Sequence, residues 1–145
     1  MKIGLAADHR GYELKEQLKH YLEKTYEVID YGTNDTKRVD YPDYAQKLAD
    51  GINKKEVDLG IAICGTGIGI SIALNKAKNI MCAKISTKEE AILAKEHNHA
   101  NAIALSGTLD YYKARKMVKA FLKATPNNDK VYLKRIEKIG KIKWK

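Results

Sequence analysis

The apolar run Asp58-Leu59-Gly60-Ile61-Ala62-Ile63-Cys64 passes directly into Gly65-Thr66-Gly67-Ile68-Gly69-Ile70-Ser71, and no other stretch narrows the possible folds as much. A continuous apolar run closed by glycine suits a strand covered on both faces, as in parallel sheets. Three alternate glycines leave that strand, and residues 68–77 have the pattern of a helix. Strand, glycine turn and helix in direct succession imply a right-handed βαβ unit.

The rest of the chain repeats this alternation. Lys2–Ala7, Tyr26–Tyr31, Asn79–Ile85 and Asn101–Leu105 are expected as further strands. Between them, Gly11–Lys24 carries Leu14, Leu18, Tyr21 and Leu22 at helical spacing. Tyr41–Asn53 opens with Pro42, a favoured first-turn residue, and Thr87–His97 has a threonine cap. Two more helices are expected at about 110–123 and 129–139, with a break at Pro126-Asn127-Asn128. The predicted fold is a Rossmann-like three-layer α/β/α sandwich on a five-stranded parallel sheet. With no repeat or linker, residues 1–145 are expected to be one domain, with a helical extension over about 127–145.

Charge and cysteine usage exclude other classes. The formal net charge is +9, but the seven basic residues between Lys130 and Lys145 face Glu137 alone. That tail carries +6 and the preceding 129 residues +3, so a solvated lysine-rich helix end is expected and nucleic acid is not a partner. No apolar run approaches the roughly 20 residues of a membrane span, and no signal-peptide pattern opens the chain, so a cytoplasmic location is expected. Cys64 and Cys82 are too few and too far apart for a disulfide framework or a metal cluster.

In parallel α/β sheets, ligands bind beyond the carboxyl ends of the strands. This rule singles out Asp8-His9-Arg10, Gly32-Thr33, Cys64-Gly65-Thr66-Gly67 and Ser106-Gly107. The glycines after Cys64 let backbone N–H groups approach a ligand, and a helix N-terminus adds a positive field, which suits a phosphate or an oxyanion. A dinucleotide fingerprint would need G-x-G-x-x-G after the first strand, which this chain lacks. Cys64 stands at the strand-to-helix elbow, where the helix field favours a nucleophilic thiol; the alternative is a small buried hydrophobe. Cys82, inside an apolar strand, is expected to be inert. Asp8-His9 pairs an acid or base with a phosphate donor, and His97-Asn98-His99 is expected beside the same sheet edge as Cys64. His20 is expected on the surface.

These residues, in order, resemble the ribose-5-phosphate isomerase B family, which also contains the galactose-6-phosphate isomerase subunits. The resemblance is carried by Asp8-His9, Val28-Ile29-Asp30, Gly32-Thr33, Asp40-Tyr41-Pro42-Asp43, Ile63 through Ser71, Asn75-Lys76, Glu96-His97-Asn98 and Ala100-Asn101. It implies an aldose–ketose isomerase of sugar phosphates working through an enediolate, without metal or cofactor. Cys64 would be the base, and Gly65, Thr66, Gly67, Ile68 and Gly69 would hold the enediolate oxygen. His97 with Asp8 would open the sugar ring, Tyr41 and Asn98 would touch hydroxyls, and His9 the phosphate. The resemblance also implies a homodimer or homotetramer with the site at the subunit interface, so that His97 serves the neighbouring Cys64.

Three arginines usual in that family are missing. Asn79-Ile80-Met81, Ser106-Gly107-Thr108 and Asp129-Lys130-Val131-Tyr132-Leu133-Lys134-Arg135 stand in their places, with Arg135 alone retained. Either Arg10, Lys130 or Lys134 supplies the missing charge, or the substrate is a phosphosugar other than ribose 5-phosphate, such as a hexose phosphate. A non-catalytic partner subunit is the third possibility.

Overall fold

In the computed structural model, which describes residues 1–143, the expected alternation is present. The order is β1 (Lys2–Ala7), α1 (Tyr12–Leu22), β2 (Glu27–Asp30), α2 (Tyr41–Asn53), β3 (Leu59–Cys64), α3 (Ile68–Asn75), β4 (Cys82–Lys84), α4 (Lys88–Asn98), β5 (Ala102–Ser106), α5 (Tyr111–Lys123) and α6 (Lys130–Gly140). Trp144 and Lys145, the end of the expected extension, lie outside the described residues. The five strands form one parallel sheet in the order β2-β1-β3-β5-β4. No helix among the described residues is long and apolar enough to cross a membrane.

Side chains along the three central strands alternate between two cores, as the two-residue period of a strand requires. Ile3, Leu5, Ile61, Ile63, Ile103 and Leu105 pack with α1, α4 and α5. Ala6, Ala62, Cys64, Ala102 and Ala104 pack with α2 and α3. One face is therefore built from branched residues and the other from small ones. Cys64 belongs to the small-residue face, the one that carries α3.

The sheet changes direction between β1 and β3. From β1 the chain crosses outward to β2, whereas from β3 it crosses the other way to β4 and returns to β5. Such a switch point opens a crevice at the carboxyl ends of its two strands. Asp8 follows one of these strands and Cys64 ends the other.

Two expectations need correction. The fourth strand is confined to Cys82–Lys84, because residues 79–81 are taken up by a turn. Asn79 has φ 64°, Ile80 N–H donates to Ala77 O, and Met81 N–H donates to the Asn101 side chain at 2.8 Å. The second correction concerns His97-Asn98-His99. These residues end α4 and lead into β5, so they lie at the amino ends of the strands. Cys64 pairs with Ser106 at the opposite end of β5. A strand length of about 13 Å separates the two levels.

A buried charge network fixes the end of β2. The Lys15 side chain is fully buried, with Nζ 2.6 Å from Asp30 Oδ2 and 2.8 Å from Glu16 Oε1. Lys19 approaches the same Asp30 oxygen at 3.3 Å, and Gly32 N–H donates to Oδ1 at 2.8 Å. Burial alone would push the Asp30 carboxyl up. Hydrogen bonds from Lys15, Gly32 and Lys19, with the charge of Lys15, outweigh it and hold the carboxyl below 3.8. A depressed carboxyl contributes stability that is complete above its unfolded value and lost as pH falls through its folded value. Asp30→Asn is expected to cost about 3 kcal/mol at pH 7, since Lys15 keeps Glu16 alone as an ion-pair partner. Urea unfolding should show that difference shrinking below about pH 3.8, and a pH-independent difference would refute the charge account.

Candidate active site

Local hydrogen bonds build the crevice from its two strand ends. Asp8 is buried, and its Oδ1 accepts the N–H groups of Arg10 at 2.9 Å and Gly11 at 3.1 Å, which turns the chain into α1. Its Oδ2 meets no donor among the described residues. His9 Nδ1 accepts the Val39 N–H at 3.2 Å, so the neutral ring carries its proton on Nε2. That bond folds the loop between β2 and α2 over the end of β1.

On the β3 side, Cys64 is 4% exposed and its Sγ accepts the Gly67 N–H at 3.2 Å. A donor aimed at sulfur from a helix N-terminus stabilises negative charge there. Gly67 is the N-cap of α3 at φ 78°, a left-handed conformation that costs other L-residues about 1–2 kcal/mol. A Cβ at Gly67 would also lie 2.8 Å from the Leu105 carbonyl carbon. The end of β5 steadies the turn: Gly107 N–H donates to Cys64 O and the Ser106 hydroxyl to Gly65 O, both at 2.8 Å. Thr66 Oγ1 accepts the Ile68 N–H at 3.1 Å, leaving the hydroxyl proton free to donate. Tyr41, at the start of α2, lies over Gly69, where a Cβ would sit 2.6 Å from its ring.

Together these residues line a cleft of 650 Å³: Asp8, His9, Arg10, Arg38, Val39, Asp40, Tyr41, Cys64, Gly65, Thr66, Ile68 and Gly69. Another cleft, of 420 Å³ between α2 and α3, contains none of the residues at the carboxyl ends of the strands. Cys82 is a different kind of thiol. Burial pushes it up to about 12, which keeps it protonated and unreactive at neutral pH.

A family model described as Ribose/Galactose Isomerase matches residues 3–139. The chain belongs to the ribose/galactose isomerase family. The ribose-5-phosphate isomerase B of Escherichia coli is 42% identical over 118 residues, covering 81% of this chain and 79% of that protein. Among solved structures, the Clostridium thermocellum ribose-5-phosphate isomerase B superposes with a TM-score of 0.94 at 43% identity, covering 97% of this chain and 95% of that one. The Thermotoga maritima ribose 5-phosphate isomerase gives a TM-score of 0.94 at 41% identity, covering 97% and 98%.

The site residues expected of a ribose/galactose isomerase fall into three groups. Asp8, His9, Tyr41, Cys64, Gly65, Thr66, Ile68 and Gly69 line the cleft. Gly67 does not line it; this glycine faces β5 and turns its N–H toward the sulfur. His97, Asn98 and Arg135 are absent from the lining. The His97 ring stacks on Tyr132 of α6, with centroids 4.5 Å apart and planes 12° apart, and Arg135 is exposed on that helix.

The structure adds Arg38 to the cleft. It lies eight residues beyond β2, too far from a strand end for the carboxyl-end rule to reach. Its place just before Asp40-Tyr41-Pro42 was the available signal.

Proposed function

We propose that this chain interconverts an aldose phosphate and its ketose, with ribose 5-phosphate as substrate and Cys64 as the base. The observation that carries this is the Cys64 sulfur, held by the Gly67 N–H in the lining of a cleft that also carries donors. A proton alpha to a carbonyl is removed by a positioned base next to preorganised charge stabilisation. The thiolate takes the C2 proton of the open-chain aldose, and the electron pair moves onto the carbonyl oxygen at C1. N–H groups of Gly65, Thr66 and Gly69 and the Thr66 hydroxyl face the enediolate charge. The thiol proton exchanges with solvent, and a proton is then delivered from the sulfur to C1 while the C2 hydroxyl proton passes to the C1 oxygen, leaving a ketone at C2. No metal or cofactor takes part.

Ring opening needs an acid and a base on the sugar. Asp8 supplies one from within the cleft, through its unengaged Oδ2. His97 supplies the other from a second copy of the chain, because its own cleft lies a strand length away. The exposed α3 residues Ile68, at 54%, and Ile72, at 61%, form an apolar border at the cleft that suits such a copy. Asn98 of that copy then reaches a sugar hydroxyl.

The test is turnover of purified protein on ribose 5-phosphate beside four- and six-carbon aldose phosphates. Conversion of ribose 5-phosphate to ribulose 5-phosphate is the expected result. A second reading, a hexose phosphate substrate, draws on the replacement of the family arginines at Met81, Thr108 and Val131. Turnover confined to a six-carbon phosphate would favour it, and silence on every substrate would favour a non-catalytic partner subunit.

A further inference from the structure

We propose that Arg10 and Arg38 form the phosphate clamp of this cleft and thereby set its preference for a substrate with a terminal phosphate. The proposal rests on the phosphosugar reading above and names the residues that would recognise the phosphate.

Both residues line the same cleft as Cys64. Neither guanidinium has an ion-pair or hydrogen-bond partner among the described residues. Charged side chains that line a concave site without an internal partner are free to hold a ligand of opposite charge, and the guanidinium fork matches the oxygens of a phosphate. Asp8 and Asp40 also line the cleft, and one oxygen of Asp8 is committed to the N–H groups of Arg10 and Gly11.

The two arginines are carried on backbone that is held in place. The Arg10 N–H is bound by Asp8, and its side chain lies across Gly65, where a Cβ would sit 2.9 Å from Arg10 Cδ and 3.5 Å from Nη1. Gly107, against the Arg10 carbonyl, likewise has no room for a side chain. Arg38 precedes Val39, whose N–H is tied to His9 Nδ1. That same bond leaves His9 with an Nε2 proton, a third donor in the lining. The other candidates for the missing charge, Lys130 and Lys134, stand on α6, which packs on α4 and contributes nothing to the cleft of its own chain.

Arg10 and Arg38 are both exposed, so Arg10→Gln and Arg38→Gln leave the core intact. Each single variant is expected to raise KM for the phosphosugar roughly tenfold and the double variant roughly a hundredfold. The rate constant kcat should change far less than KM. Inorganic phosphate, measured as a competitive inhibitor and by calorimetry, should lose affinity in parallel. Arg10→Lys and Arg38→Lys should restore part of it through a single contact. An active wild type whose Gln variants keep both KM and phosphate affinity would overturn the clamp and leave the isomerase reading standing. A wild type that turns over no phosphosugar, yet loses phosphate binding when either arginine is replaced, would overturn that reading and leave the clamp.

Discussion

Cys64→Ala is expected to lower kcat/KM on the phosphosugar by about 10³-fold or more while the protein stays folded. A positioned general base contributes roughly 10²–10⁴ to proton transfer, and no other lining residue offers a sulfur or imidazole acceptor beside the glycine turn. His9, the nearest alternative in kind, has Nδ1 engaged by Val39 and offers a proton on Nε2. Cys64 packs in the small-residue core with Ala6, Ala62 and Ala104, so alanine in its place costs about 1 kcal/mol of stability. Cys64→Ser keeps the size and replaces the thiolate by a hydroxyl that ionises far less readily, and it should be nearly as inactive. Cys82→Ala is the matched control and should turn over substrate like wild type, because burial keeps the Cys82 thiol protonated. A Cys64→Ala protein with native circular dichroism and undiminished turnover would remove the base assignment.

Mixing two inactive variants is expected to restore activity. Cys64→Ala and His97→Asn each lack one half of the proposed machinery, and within one chain those halves lie at opposite ends of β5. In a homodimer whose sites join Cys64 of one copy to His97 of the other, a mixed dimer has one intact and one doubly impaired site. Random pairing makes half of the dimers mixed, so about a quarter of wild-type activity should return on co-expression. Co-expressed variants that stay as inactive as each one alone would place both groups in a single chain's site or remove His97 from the chemistry. The stack of His97 on Tyr132 adds a detail: α6 of the same copy would hold the imidazole in the orientation it presents to its neighbour.

Period and punctuation in the sequence were enough to specify most of this architecture. Apolar runs marked β1 and β3, the latter closed by Gly65, and these strands place Asp8 and Cys64 at a shared crevice. The 3.6-residue pattern placed all six helices within a few residues. β4 came out shorter than its apolar pattern because backbone turns at Ala77–Ile80 and the Asn101 side chain claim the donors ahead of it. The amino-end position of His97 follows from α4 running against the strands, a consequence of topology that proximity in sequence to β5 conceals. Arg38 was invisible to a strand-end rule because the loop that carries it returns to the crevice through one long-range bond, Val39 N–H to His9. Pairing between residues 30 positions apart leaves no local pattern in the sequence.

The exposed apolar residues of α6 have the same kind of origin. Its amphipathic pattern predicted a helix, and the helix forms with none of its residues buried. Val131 at 49% and Leu133 at 41% exposure face outward beside the lysines.

The most direct test of the account is conversion of ribose 5-phosphate in deuterium oxide, followed by NMR, with wild type and Cys64→Ala side by side. Wild type is expected to form ribulose 5-phosphate carrying solvent deuterium at C1, and Cys64→Ala to produce neither the ketose nor exchange at C2. Undiminished exchange in the Cys64→Ala protein would contradict it, because the proton would then be moved by another group.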